Sequence, residues 1–125
     1  METLEVLDSG SLAVASSSPG LVRHLAFQGD GYLVLRSRSE PGVASGWHHH
    51  GAYHVLGYLA SGQARLESEN SETGTVSLAP GDFFHVPPGT VHREINPSQD
   101  EANEFILFLR GTGPLVVNVD EEAHG

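Results

Sequence analysis

Residues 81–96 read GDFFHVPPGTVHREIN, and residues 46–54 read GWHHHGAYH. Both stretches contain short apolar or aromatic runs that end at glycine or proline. Pro87, Pro88 and Gly89 would end a strand sharply, because proline lacks the backbone donor of a sheet and glycine permits a tight turn. Short runs of this kind, without helical periodicity, predict an all-β fold.

Similar short segments fill the rest of the 125-residue chain. Together they predict strands at 3–7, 12–16, 21–28, 32–38, 46–50, 53–60, 63–68, 75–78, 83–86, 91–95, 104–110 and 114–119. Many short strands joined by regular turns favour a sandwich or a closed barrel. The length is that of one domain, and no repeat or linker is evident. We therefore predict a single domain over residues 1–125, with frayed ends.

Histidines are concentrated in the two stretches quoted above. Residues two apart on a strand face the same side, roughly 6.5–7 Å apart, so His48 and His50 can converge on one ion while His49 points away. His54 has the same parity, although a turn is expected before it, and His92 would come from another strand. Neutral imidazole is the commonest protein ligand for transition metals. Alternatives are a helical pair of His50 and His54, or a solvated histidine patch.

Together the two stretches resemble the paired motifs of the cupin superfamily, whose members are small jelly-roll β-barrels. The motifs span about residues 42–62 and 81–96. The second motif of the family has two glycines, a proline, a histidine and an asparagine at fixed spacing. This sequence meets every position, with Gly81, Pro87, Gly89, His92 and Asn96.

The first cupin motif is met in part. Gly42 opens it, His48 and His50 form its H-x-H pair, and Gly62 closes it one residue later than the pattern. The position of the family's glutamate holds His54 instead. The resemblance is to small single-domain bacterial cupins, and it implies a jelly-roll barrel with a four-histidine metal site: His48, His50, His54 and His92.

The exchange of glutamate for histidine changes the charge of the predicted site. Three imidazoles and a carboxylate would leave a divalent ion with a net charge of about +1, and four imidazoles about +2; the more positive site acidifies bound water more strongly. Mn, Fe, Ni, Cu, Co and Zn all accept imidazole, so we predict one divalent transition metal without choosing among them. Because protons compete for imidazole, metal loading should fall as the pH drops through roughly 6.

Two further side chains are candidates for catalysis. Glu94 shares strand parity with His92 and would reach into the barrel as a hydrogen-bond acceptor or general base. The alternative is a surface carboxylate paired with Arg93 or another arginine. Tyr58 shares parity with His54, so it would line the cavity as a proton donor or as packing.

Composition excludes several classes of protein. The chain has no cysteine and no lysine, and its formal net charge is −10. Disulfides, thiolate ligands and lysine Schiff-base chemistry are therefore excluded. The acidic balance argues against a nucleic-acid or anionic-membrane partner. We see no signal peptide and no apolar run of ~20 residues, so we expect a cytoplasmic protein.

The resemblance leads to three functional hypotheses. The first is a metal-dependent oxidoreductase of dioxygenase type, acting on a small enolisable or phenolic substrate. The second is an isomerase, lyase or decarboxylase that uses the ion as a Lewis acid, and the third is a non-catalytic protein that binds a small molecule. Many small cupins are homodimers, so the resemblance also implies a homodimer. One fold hosts many functions, and the sequence does not decide among them.

Overall fold

The computed structural model describes residues 3–69 and 74–119, and all regular structure within them is β-strand. The strands are β1 (Ala13–Ser18), β2 (Leu21–Gly29), β3 (Tyr32–Ser39), β4 (His48–His49), β5 (His54–Ser61), β6 (Ala64–Ser68), β7 (Thr75–Leu78), β8 (Phe83–Val86), β9 (His92–Ile95), β10 (Asn103–Arg110) and β11 (Val117–Asn118). Every predicted strand has a counterpart except 3–7, which forms none. The predicted fraying concerns residues 1–2 and 120–125, which lie outside the described residues.

Two antiparallel sheets face each other. The six-stranded sheet has the order β1-β2-β3-β10-β5-β8, and the five-stranded sheet has the order β11-β4-β9-β6-β7. The chain crosses repeatedly between the sheets, which gives a jelly roll. The all-β, jelly-roll prediction is confirmed. No helix in residues 3–69 and 74–119 has the length and apolar character needed to cross a membrane.

Alternation along the strands builds the interior. On β10, Phe105, Leu107 and Leu109 are buried, whereas Ile106 and Phe108 are exposed on the outer face. The buried apolar side chains form one core cluster: Leu33, Leu35, Val55, Leu59, Ala64, Val86, Phe105, Leu107 and Leu109. Buried polar side chains share the interior: Arg23, Ser37, Ser39, His48, His50, His92, Glu94, Asn96, Ser98 and Asn103. Such groups need partners, since an unpaired polar group is costly to bury.

The five-stranded sheet brings the two histidine-bearing stretches side by side. β4 lies between β11 and β9, and His48 pairs directly with His92 across the β4–β9 ladder. On the other side of β4, Asn118 is opposite His48. Strands that are distant in sequence are thus adjacent where the histidines face the interior.

Candidate metal centre

Three of the predicted ligands come together inside the barrel. One ring nitrogen from each of His48, His50 and His92 lies within 4.8 Å of the others, and all three residues are buried. Their ring centroids are 4.4 to 5.1 Å apart. His48 and His50 therefore converge as their spacing of two residues predicts, and His92 joins them through strand pairing.

Each of the three rings is oriented by a backbone carbonyl. The Nδ1–H groups donate from His48 to Gly46 (2.8 Å), from His50 to Leu115 (2.6 Å) and from His92 to Thr90 (2.8 Å). Because a carbonyl oxygen only accepts, Nδ1 carries a proton in every ring, and Nε2 of the neutral ring keeps its lone pair. Histidines that ligate metals are typically held in this way.

The environment keeps these imidazoles neutral. Burial lowers the pKa of His48 to about 4 and that of His50 to about 3, and it also lowers the pKa of His92. Among the described residues, no hydrogen-bond partner reaches the buried Nε2 of His48. A buried, unprotonated nitrogen without a donor is costly in free energy, and coordination of a cation would satisfy it. The three residues therefore fit a divalent transition metal.

His54 is not brought to the other three histidines. On β5, Val55 points into the core, whereas Nδ1 of His54 lies 3.0 Å from Nε2 of His85, with the two rings stacked. The backbone turns between His50 and Tyr53, where the Tyr53 N–H donates to the His50 carbonyl, so parity counted across this turn does not hold. The fourth ligand stays a prediction.

Glu94 faces the interior, as its parity with His92 predicts. Its partner is Arg23, whose Nη2 lies 2.6 Å from Oε1 of the carboxylate, and both side chains are buried. Burial opposes ionisation of Glu94, yet the positive charge of Arg23 holds the pKa of Glu94 below its usual value. The alternative prediction is therefore wrong in placing the carboxylate on the surface and right in pairing it with an arginine other than Arg93. The predicted role as hydrogen-bond acceptor or general base stays a prediction.

The arginine expected beside Glu94 has other partners. Arg93 Nε lies 2.6 Å from Oε1 of Glu67, and its guanidinium lies 4.9 Å from the centroid of the Trp47 ring. Sequence reasoning missed Arg23. It shares strand parity with the buried Leu21 on β2, which is the one signal that would have placed it inside.

Tyr58 lies on the outer face of the six-stranded sheet. Because β5 turns Val55 and Leu59 inward, Tyr58 points away from the interior, and its ring contacts that of Phe83 at a centroid distance of 4.9 Å. It does not line a cavity with the histidines. A catalytic role for Tyr58 stays a prediction that this placement does not support.

A cleft of about 420 Å³ borders the histidine centre. His92 and Thr90 belong to its lining, which also includes His85 and four apolar side chains: Leu66, Val76, Val86 and Pro87. The cleft thus combines an apolar wall with one of the three clustered histidines. Its size suits a small molecule rather than a polymer.

Fold and site together define a jelly-roll barrel with an interior cluster of oriented histidines. The chain belongs to the Cupin_2 family of cupin domains, whose model matches residues 35–103. That segment contains both histidine stretches and Glu94, whereas Arg23 lies outside it. No curated protein sequence matches the chain.

Several solved structures are similar to this fold. The polyketide cyclase RemF from Streptomyces resistomycificus has a TM-score of 0.77 at 15% identity, covering 98% of this chain and 91% of that chain. KdgF from Halomonas sp. has a TM-score of 0.70 at 21% identity, with coverage of 88% and 96%. A mutant of oxalate decarboxylase OxdC from Bacillus subtilis has a TM-score of 0.71 at 23% identity, with coverage of 83% and 29%. At these identities the likeness shows the fold alone.

Proposed function

We propose that His48, His50 and His92 hold one divalent transition metal, and that the protein is a metal-dependent enzyme acting on a small molecule in the adjoining cleft. The observation that carries the proposal is the common orientation of the three rings. Each Nδ1–H donates to a backbone carbonyl, so the lone pair of each Nε2 remains available to coordinate a metal. The lowered pKa values support it, because neutral imidazole is the form that coordinates.

The donor set indicates what chemistry the centre supports. Three neutral imidazoles leave the charge of a divalent ion undiminished, and the nearby charge of Glu94 is offset by Arg23. When bound, such an ion supplies Lewis acidity, lowers the pKa of bound water or a substrate hydroxyl and, if redox-active, supports reactions with O₂. Three protein donors also leave more coordination positions for substrate than four. The substrate group expected there is an anionic or readily ionised oxygen.

A dioxygenase-type oxidoreductase acting on a small enolisable or phenolic substrate is our first candidate. Three histidine ligands would leave room on a bound ion for substrate oxygens as well as for O₂. The apolar wall of the cleft, formed in part by Leu66 and Val86, would pack against the body of such a substrate.

A Lewis-acid isomerase, lyase or decarboxylase is the second candidate. It is supported by the three neutral histidines, which would leave a bound ion its full positive charge to favour an anionic substrate oxygen without any redox step. The similar structures include a polyketide cyclase and an oxalate decarboxylase. The third candidate, non-catalytic retention of a small molecule, needs only the cleft and the ion.

Metal content tests the site itself. We expect metal-free protein to take up one Co²⁺, Fe²⁺ or Zn²⁺ per chain, measured by elemental analysis after gel filtration. His50→Ala and His92→Ala should lose that ion, whereas His54→Ala should keep it if three histidines suffice. His24→Ala serves as the control. A wild-type protein that retains no transition metal contradicts the proposal, and loss of metal in His54→Ala would restore the four-histidine site.

Turnover separates the candidates. Oxygen uptake by the Fe²⁺ protein with diketones, catechols and flavonols, abolished by His92→Ala, is expected for the first candidate. Product formation under nitrogen, with Zn²⁺ as effective as Fe²⁺, would favour the second. Retention of a ligand without product under either condition would favour the third.

A further inference from the structure

A buried carboxylate lies beside the three histidines but is paired with an arginine. Glu94 follows His92 by two residues on β9, so both side chains point into the barrel. Arg23 reaches it from β2 in the opposite sheet, and its Nη2 lies 2.6 Å from Oε1 of Glu94. The side chains of Arg23 and Glu94 are 7% and 8% exposed, so solvent screens the attraction between their charges only weakly.

A carboxylate in this position would ordinarily compete for a metal. Carboxylate oxygen is a good ligand for most divalent ions, and the cluster of His48, His50 and His92 lacks one. Glu94 nevertheless is not part of that cluster, whose donor atoms lie within 4.8 Å of one another. Its oxygen is engaged by Arg23.

Arg23 is itself fixed from its own sheet. It lies opposite Ser37 on β3, and its Nη1 is 3.4 Å from Oγ of Ser16 on β1. A buried ion pair is costly to form, but removing one partner is costlier because the remaining charge is stranded. Glu94 therefore cannot leave Arg23 for an ion without stranding the guanidinium.

We propose that Arg23 is a positioning residue that holds Glu94 away from the metal, and so keeps the centre a three-histidine site with a coordination position free for an anionic substrate. This inference rests on the proposed metal site. Without Arg23, the carboxylate of Glu94 becomes a fourth protein ligand. The site then loses positive charge, and substrate loses a position on the ion.

Cobalt substitution tests the inference without any assay of activity. The visible ligand-field absorption of bound Co²⁺ reports the number and type of its donors. We expect the spectrum of Arg23→Met to differ from wild type in band position and intensity, and Co²⁺ to bind about tenfold more tightly, a change at the lower end of those produced by residues around metal ligands. Removing the positive charge of Arg23 would by itself raise the affinity for Co²⁺, so the affinity is not diagnostic. The absorption spectrum is the measurement that decides whether Glu94 has become a ligand.

Two further variants isolate the carboxylate. Arg23→Lys keeps a cation beside Glu94 and should give the wild-type spectrum. The double variant Arg23→Met with Glu94→Gln should also return the wild-type band positions, because the new ligand is gone. Circular dichroism confirms that each protein is folded.

Three outcomes overturn the proposal. One is a folded Arg23→Met protein with an unchanged cobalt spectrum. Another is a changed spectrum that persists in the double variant. The third applies even if Arg23→Met does not fold: a shifted spectrum in Glu94→Gln alone would mean that Glu94 already ligates the ion. Failure of the metal site itself is distinct, because the wild-type protein would then show no cobalt spectrum at all.

Discussion

The Nδ1–H group of His50 donates to the carbonyl oxygen of Leu115 at 2.6 Å, across 65 residues of chain. Leu115 precedes β11, the edge strand that pairs with β4, so the C-terminal segment of the sheet fixes one ring of the histidine cluster. Orientation of a metal-ligating ring through its second nitrogen affects affinity as well as geometry.

Substitution at Gly51 should disturb that orientation. Gly51 has a φ of 60°, and a Cβ there would lie 2.9 Å from Cδ of Pro114, the residue before Leu115. Gly51→Ala should therefore displace the Leu115 carbonyl and weaken metal binding by about tenfold. Gly42→Ala is the matched control, because its φ is 74° and no atom of the described chain lies within 4 Å of the added Cβ. Equal affinities of the two variants, measured by chelator competition, would show that this contact does not matter.

The stability of the metal-free protein should depend on pH through the buried histidines. Burial lowers the pKa of His48 from 6.5 to about 4 and that of His50 to about 3. Below pH 6.5 the unfolded chain binds protons at these positions that the folded chain does not, so the free energy of unfolding falls as the pH decreases. Each histidine contributes at most about 1.4 kcal/mol per pH unit.

Denaturant titrations of the metal-free protein between pH 7.5 and 5.5 measure that slope. This range lies above the titration of Glu94, whose pKa is lowered from 4.5. His50→Gln should reduce the slope, because one of the protons taken up on unfolding is removed. Identical slopes for the variant and the wild type would mean that His50 is not buried in the neutral form.

The same pKa values change the pH range expected for metal loading. Ordinary histidines predict loss of metal as the pH falls through roughly 6. With the pKa of His48 at about 4 and that of His50 at about 3, protons compete for the folded site only at lower pH. We therefore expect the ion to be retained at pH 5.5 and lost only as the pH falls towards about 4, as measured by equilibrium dialysis. Release already at pH 6 would contradict neutral, preformed ligands.

Local sequence pattern was sufficient for most of the fold. Turns at glycine and proline bound the strands, and period-two alternation placed His48, His50 and Glu94 on the interior face. The segment 3–7 shows where this fails. Leu4 and Val6 alternate like strand residues, but both are over nine-tenths exposed and pair with no described strand, so alternation alone did not make a strand.

The parts of the site that were missed depend on contacts that local pattern does not contain. The parity of His54 was counted across a turn, and the turn resets which face a side chain takes. Tyr58 was placed in the cavity by its parity with His54, so its predicted position was wrong for the same reason. Arg23 is 71 residues from Glu94, and only the packing of two sheets brings them together. The cytoplasmic location stays a prediction.

One face of the molecule has an unusual share of exposed apolar side chains. On the outer surface of the six-stranded sheet lie Leu56, Tyr58, Phe83, Ile106 and Phe108. Phe83 is 78% exposed, and Arg110 belongs to the same outward face of β10. The N-terminal segment matches this face in polarity and is opposite to it in charge. Its Leu4 and Val6 are exposed and apolar, and Glu5 between them is opposite in charge to Arg110. Contiguous apolar surface of this kind marks an interaction site in many soluble proteins.

We predict that a second copy of the chain covers this face, which would give the homodimer implied by the cupin resemblance. Light scattering after gel filtration should report a mass about twice the 13.3 kDa of the chain. Phe83→Ser should shift it towards the monomer, whereas Val76→Ser, an exposed apolar position on the other sheet, should not. A monomeric wild-type protein, or a dimer that tolerates Phe83→Ser, would rule out this face as the interface.

A glycine on β5 makes room for an aromatic ring of the core. Gly57 is opposite Phe84 of β8, and a Cβ at Gly57 would lie 2.1 Å from Cζ of that ring. Phe84 in turn packs edge-on against the fully buried Phe105, with centroids 5.4 Å apart, so the ring has little freedom to retreat. Overpacking of this kind costs about 1–3 kcal/mol.

Gly57→Ala should therefore lower the melting temperature by about 4 °C for each kcal/mol lost. The control is Gly10→Ala, where the added Cβ has no described atom within 4 Å, and its effect should stay within about 0.5 kcal/mol. Adding Phe84→Leu to Gly57→Ala should restore part of the loss if the clash is with the ring, since leucine leaves the added methyl space. If the double variant is no more stable than Gly57→Ala alone, the cost lies in the backbone of β5 and not in the contact with Phe84.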